Sequence, residues 1–311
     1  MKGQSTWSYT PYRPPLTEVG DVYICRVVPH EESIHLEWLS ADAATYSVFC
    51  RVRGAGDFSH VGDTASCAYD LKGLQCDTEY EFYVAAGEKK SRIRLARCGT
   101  SVGSVVNYLH PEDEAYDFSG RYLASPSLVR HPDGYLLASM DVFQGGMPQN
   151  FTLIFRSDDE GESWHYLCEL MPCFWGKLFV HKGELYMLSV STEYGDLLIG
   201  KSTDGGKSFS HPECLGISGS PPHLLLHSSG ALILTYGRRE APFGERIVIS
   251  RDGGKTWGEE HILTEAYCND LGYPATAELP DGSLVTVYYE RYKDDKFTSI
   301  LCVKWRIEEF E

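Results

Sequence analysis

The stretch SRDGGKTW (Ser250–Trp257) decides how this chain is read. Near-copies stand at SDDEGESW (Ser157–Trp164) and STDGGKSF (Ser202–Phe209). The spacing Ser-x-Asp-x-Gly-x-x-aromatic therefore recurs three times, at intervals of 45 and 48 residues. The chemistry of such a turn is local. Gly supplies a positive φ, the Asp carboxylate accepts from turn N–H groups, and the aromatic buries itself beneath. A calcium loop is the rival reading of so acidic a turn. The copies share one Asp each, which is too few oxygens to hold the ion.

A second marker keeps the same period. HPDG ends at Gly134, VHKG at Gly183, HSSG at Gly230 and LPDG at Gly282, at intervals of 49, 47 and 52 residues. Each lies between two apolar runs, as a β-hairpin does. The first three hairpins lead through a third run into the opening motif and then into a fourth, aromatic-led run. Four strands per unit of this length is the signature of a propeller blade. The units span about 120–170, 173–215, 220–263 and 271–307. The last lacks a fourth strand after ILCVKWRI. The apolar SVVNYLH (Ser104–His110) is expected to supply it and close the ring; otherwise a partner copy completes or covers the propeller.

The front of the chain has another rhythm. Residues 1–14 are Pro- and Tyr-rich and read as an arm. Over residues 15–99, SIHLEWLS, TYSVFCRVRG and YEFYVAAG alternate apolar and polar residues, as half-buried strands do. Their size and spacing suit an antiparallel sandwich. CGTSVGS (Cys98–Ser104) is the linker, and 104–311 the propeller. The fold class is thus all-β, a sandwich followed by a propeller of about four four-stranded blades.

Composition narrows the partners. The chain has 311 residues and a formal net charge of −16, with no basic stripe, so a nucleic acid is not expected as a partner. No stretch approaches the roughly 18 apolar residues of a membrane span. The N-terminus shows no signal-type apolar stretch, which places the chain in the cytoplasm as written; removal of a leader would place it outside the cell. The ten cysteines fall five up to and including Cys98 and five after the linker, odd counts that argue against a closed disulfide framework. No Cys/His spacing suggests zinc, so neither metal nor cofactor is expected. Asn150–Thr152 is a glycosylation sequon that matters only in a secreted protein.

Strand direction selects the working face. Strand A runs out to the PDG-type turn, B returns, and C runs out to the repeated motif, so both turn sets share one face. The opposite face carries the longer, individual loops, where function sits on a rigid scaffold. Those loops hold Arg121, Arg238, Arg239, Arg291, Asp141, Glu193, Glu240, Glu290, Tyr194, Tyr273, Trp175 and His223. Arginine forks bind a carboxylate, Trp stacks on a sugar and acids move protons, which suits an acidic glycan.

Two family resemblances sharpen this. The stretch YDLKGLQCDTEYEFYVAA resembles the E–F corner of fibronectin type III domains, with Leu71 and Leu74 as core, Thr78 and Tyr80 as its T-x-Y element, and Trp38 as the strand-B tryptophan. It implies a spacer or docking module. The repeated motif resembles the Asp-box of sialidases and related BNR-repeat propellers, and TYGRREAPFGERIVISRDGGKTW with DLGYPATAELPDGSLVTVYYE looks like their last two blades. That resemblance implies an exo-sialidase-like retaining glycoside hydrolase with Tyr273 as nucleophile, Glu290 or Glu193 as its base and Asp141 as acid/base. Arg121, Arg238, Arg239 and Arg291, with Trp175, Glu193 and His223, would bind substrate. The chain departs from the family in two respects. Ser125 stands where the first arginine of the triad is expected, and four units are counted against the six blades of sialidases. A non-catalytic lectin-like propeller, a protein-interaction scaffold and a polysaccharide lyase are the alternatives.

Overall fold

The computed structural model describes residues 22–40, 43–116, 120–144, 149–193 and 195–310. The arm at 1–14, the first residues of the expected sandwich, and Tyr194 lie outside the described residues. The front of the chain forms two facing antiparallel sheets. One has the order β1 (Val22–Pro29), β2 (Ser33–Ser40), β5 (Ala68–Lys72). The other has the order β4 (Ser59–Thr64), β3 (Tyr46–Val52), β6 (Glu79–Ala86), β7 (Lys89–Lys90), with β8 (Arg94–Arg97) also pairing with β6. The period-2 pattern turns alternate residues inward, so Trp38, Tyr46, Val48, Leu71, Phe82 and Val84 form one core. The Tyr80 hydroxyl accepts the Gln75 N–H at 2.9 Å and ties the corner before β6.

Four further sheets follow, each built in chain order. The first is β9 (Tyr122–Arg130), β10 (Leu136–Phe143), β11 (Thr152–Ser157) and β12 (His165–Leu170). The second is β13 (Phe174–His181), β14 (Glu184–Val190), β15 (Asp196–Ser202) and β16 (Glu213–Ser218). The third is β17 (Pro222–Leu226), β18 (Leu232–Arg238), β19 (Gly244–Ser250) and β20 (His261–Ile262). The fourth has three strands, β21 (Leu271–Glu278), β22 (Leu284–Glu290) and β23 (Ser299–Trp305). These are propeller blades with the first strand of each innermost. Successive blades pack face to face, Leu137 and Ile154 against Leu178 and Met187, and Ile233 and Ile247 against Leu284 and Trp305.

The repeated motif has the same geometry three times. The Ser157 hydroxyl accepts the Gly161 N–H at 2.8 Å and donates to Asp159 at 2.8 Å, while Asp159 accepts the Ser163 N–H at 2.9 Å. Ser202, Asp204, Gly206 and Ser208 repeat this set, as do Ser250, Asp252, Gly254 and Thr256. The motif glycines Gly161, Gly206 and Gly254 have φ between +88° and +96°, a left-handed conformation that strains any side chain. Trp164 and Phe209 are buried under their turns; Trp257 is half-buried.

Residues 104–110 do not close the fourth blade, contrary to the expectation from their apolar sequence. They lie along the sandwich: Arg26 donates to the Val105 and Val106 carbonyls, Asn107 accepts the Val27 N–H, and the Tyr108 N–H reaches the Val27 carbonyl. The physical reason is β1, whose Arg26 and open backbone groups take these partners locally. Tyr23, Cys25 and Leu39 of the sandwich share a core with Phe155, Trp164 and Tyr166 of the first blade. The sandwich thus covers the outer flank of the first blade. On the fourth blade Val287 and Ile300 remain exposed.

Candidate functional site

The first strands of blades one, two and four share a device. Ser125–Pro126 stand opposite Met140, Trp175–Gly176 opposite Ser189, and Tyr273–Pro274 opposite Tyr288, so each strand carries a bulge at the same height. Ser125, Trp175 and Tyr273 adopt φ of 51°, 50° and 52°. Left-handed backbone at a non-glycine residue costs about 1–3 kcal/mol and persists where surrounding structure imposes it. Bulges re-aim side chains: on the face opposite the repeated turns Ser125 reaches Asp141, while Trp175 and Tyr273 meet each other.

Trp175 and Tyr273 meet edge to face with ring centroids 5.9 Å apart. Trp175 is 5% exposed and Tyr273 52%. Tyr289, near the end of β22, stands 5.9 Å from Tyr273. Arg239 joins the three rings: its guanidinium lies 5.6 Å from Trp175 and 5.9 Å from each tyrosine, and it donates to the Tyr289 hydroxyl at 3.0 Å. Gly272, at φ +126°, makes room for this, since a β-carbon there would meet Arg239 Nη2 at 3.2 Å. Burial pushes the Tyr273 phenol up; Arg239 and Trp175 oppose it, and the charges of Asp141 and Glu193 reinforce it.

Asp141 closes the floor. It is fully buried at the end of β10. Its oxygens accept the Thr152 hydroxyl at 2.5 Å and the Trp175 N–H at 2.8 Å. Burial pushes its carboxyl up to about 7 against these donors and Ser125. Between the innermost strands lies a cavity of about 520 Å³ lined by Ser127, Lys177, His181, His223, Tyr273 and apolar side chains. Burial first, then the Lys177 charge, holds the His223 imidazole below its usual value.

The other expected residues are less central. Arg238 pairs with Glu260 at 2.6 Å, Arg291 with Asp270 at 3.4 Å and Arg121 with Glu114 at 3.6 Å. Arg239 makes no ion pair among the described residues. Glu290 is buried, and burial raises its carboxyl. Its charge acts on Glu245, whereas the carboxylates acting on Tyr273 are Asp141 and Glu193. Three residues of the site escaped the sequence reading. Lys177 is two positions beyond Trp175, but the bulge between them breaks the alternation that would place it. Tyr289 precedes Glu290 by one. Glu245 is fully buried at the start of β19, its oxygens without a hydrogen-bond partner among the described residues, and burial pushes its carboxyl up to about 8.

Together, the sheets and the mouth define an all-β chain of sandwich and propeller whose inner strands converge on a Tyr, a Trp, an Arg and a buried Asp. No family profile and no curated protein matches the chain. Among solved structures, it is similar to a protein of unknown function from Dyadobacter fermentans DSM 18053, at 16% identity, covering 98% of this chain and 99% of that one, with a TM-score of 0.47. It is also similar to an α-L-arabinanase of Penicillium chrysogenum complexed with arabinobiose, at 20% identity, covering 58% of this chain and 62% of that one, with a TM-score of 0.45. A third is the NanB sialidase of Streptococcus pneumoniae, at 13% identity, covering 97% of this chain and 59% of that one, with a TM-score of 0.47. The chain thus spans less than two thirds of the length of the arabinanase and of the sialidase.

Proposed function

We propose that this protein is a retaining glycoside hydrolase acting on terminal sialic acid or a similar acidic sugar, with Tyr273 as nucleophile. The observation that carries the reading is the setting of Tyr273. Its phenol is exposed in the mouth, its backbone is fixed by a bulge, and a guanidinium stands within 5.9 Å of its ring. A neutral phenol approaches an anionic sugar with less repulsion than a carboxylate would.

In the first step Tyr273 Oη bonds to the anomeric carbon and the bond to the leaving oxygen breaks. The phenol proton passes to Glu193, and Asp141, protonated below about 7, delivers its proton to the leaving oxygen. Water then attacks the anomeric carbon and gives its proton to Asp141, Tyr273 Oη departs, and Glu193 returns the phenol proton. Two inversions leave the anomeric configuration unchanged. Of the two candidate bases, Glu193 and Glu290, Glu193 takes the role, because its charge bears on the Tyr273 phenol.

One observation favours a second reading, a carbohydrate-binding propeller without turnover. Asp141 is fully enclosed, its oxygens held by Thr152 and Trp175, so it reaches a glycosidic oxygen only if the Trp175 segment moves. Release of 4-methylumbelliferone from its sialoside, glucuronide and arabinofuranoside, measured for the protein and for Tyr273→Phe, separates the two. The hydrolase reading expects sialoside turnover that the variant loses. Binding of the sugars without turnover of any substrate from pH 4 to 8 overturns it in favour of the second.

A further inference from the structure

We propose that Lys177, rather than an arginine cluster, is the group that binds the substrate carboxylate. The inference rests on the reading of the Tyr273 mouth as a sugar site. The arginines that sequence places nearby are engaged elsewhere. Arg121, Arg238 and Arg291 are each paired with a carboxylate. Arg239 stacks among three rings and donates to the Tyr289 hydroxyl at 3.0 Å.

Lys177 is placed differently. Among the described residues it is the one lysine or arginine lining the 520 Å³ cavity. It makes no ion pair among those residues, and its hydrogen bond to the Pro126 carbonyl is a long one, 3.5 Å. Burial weakens its ammonium, and the charge opposing that loss comes from Asp141, which sits beneath Trp175. The Lys177 side chain is exposed at the cavity wall, and an ammonium there with no ion-pair partner among the described residues gains from an incoming carboxylate. Ser127 and His223 line the same cavity and offer the carboxylate further hydrogen-bond partners.

The position of Lys177 also selects among acidic sugars. In a 2-keto acid sugar the carboxylate is carried on the anomeric carbon itself, whereas in a uronate it lies across the ring. A cation serving the first kind must share a cavity with the nucleophile, and Lys177 and Tyr273 do so.

Isothermal titration with N-acetylneuraminic acid and with its methyl ester tests this, using the protein, Lys177→Met and Lys177→Arg. Loss of one charged hydrogen-bond partner is worth about tenfold or more in affinity. The protein is expected to prefer the acid about tenfold or more, Lys177→Met to bind acid and ester alike, and Lys177→Arg to regain the preference. The inference is overturned if Lys177→Met, melting as the parent does, keeps the preference for the acid, or if the parent binds both equally. If the parent binds neither, the sugar-site reading fails and this inference with it. If it binds both equally, only the assignment of Lys177 fails.

Discussion

Trp175 and Tyr273 come from different blades yet meet edge to face at 5.9 Å, each held at a strand bulge with φ near +50°. The tryptophan is the wall against which the exposed tyrosine is positioned. Trp175→Ala empties a buried ring site, and such truncations cost about 3–5 kcal/mol. The expected outcome in urea titration is a loss of that size, with kcat lowered further than the residual folded fraction explains. Trp175→Phe keeps a ring in place and should recover most of both. Equal kcat per folded molecule in Trp175→Ala would remove its positioning role.

Asp141 sets the pH dependence. Burial pushes its carboxyl up to about 7, so the acid form needed to protonate a leaving group is full below that pH. It is lost as pH rises through it. kcat/KM for the sialoside should therefore fall about tenfold per unit above pH 7. Asp141→Asn should lower the rate by about 10²–10⁴, the usual worth of a positioned acid, and abolish this limb. Persistence of the limb in the variant would assign it to another group.

The seam between sandwich and propeller holds a buried ion pair. Arg94 donates to Asp113 at 2.8 Å and to the Ile24 carbonyl at 2.6 Å, and Asp113 also accepts the Ala115 N–H. The side chains are 5% and 1% exposed. Removing one partner strands the other charge, which costs about 3–5 kcal/mol. Asp113→Ala is predicted to lower stability in urea by that amount; a change below about 1 kcal/mol would show that water replaces the carboxylate.

The repeated turns predict acid sensitivity. Hydrogen bonds from Ser163 hold Asp159 down at about 2, and those from Thr256 hold Asp252 down at about 2. At Asp204 burial pushes up, and the Ser208 hydroxyl and N–H outweigh it. A folded value below the ordinary one, about 3.9, contributes stability above that pH and loses it as pH falls toward 2. Melting temperature should drop between pH 4 and 2, and the triple variant Asp159→Asn, Asp204→Asn, Asp252→Asn should show a flatter profile. Parallel profiles would place the acid sensitivity elsewhere.

The strands and turns were legible because their cause is local. Period-2 alternation and a Ser-x-Asp-x-Gly turn need only neighbouring residues, so blade order and strand direction followed. What escaped depends on partners far along the chain. Ser104–His110 is as apolar as a strand, and only the backbone of β1 shows why it stays with the sandwich. Arg238 and Arg239 are adjacent in sequence and opposite in fate, one paired with Glu260 and one set among aromatic rings. Lys177 and Glu245 each gain their meaning from other blades, Lys177 by sharing a cavity with Tyr273 and Glu245 through the charges of Arg239 and Glu290.

The most direct test of the central claim is covalent. A fluorinated sialosyl fluoride, whose electron-withdrawing substituent slows release of the glycosyl intermediate, is incubated with the protein, which is then digested and mapped by mass spectrometry. The account predicts one adduct, on the peptide containing Tyr273 and on its phenol oxygen, and none in Tyr273→Phe. An adduct on a carboxylate, or equal labelling of Tyr273→Phe, would contradict it.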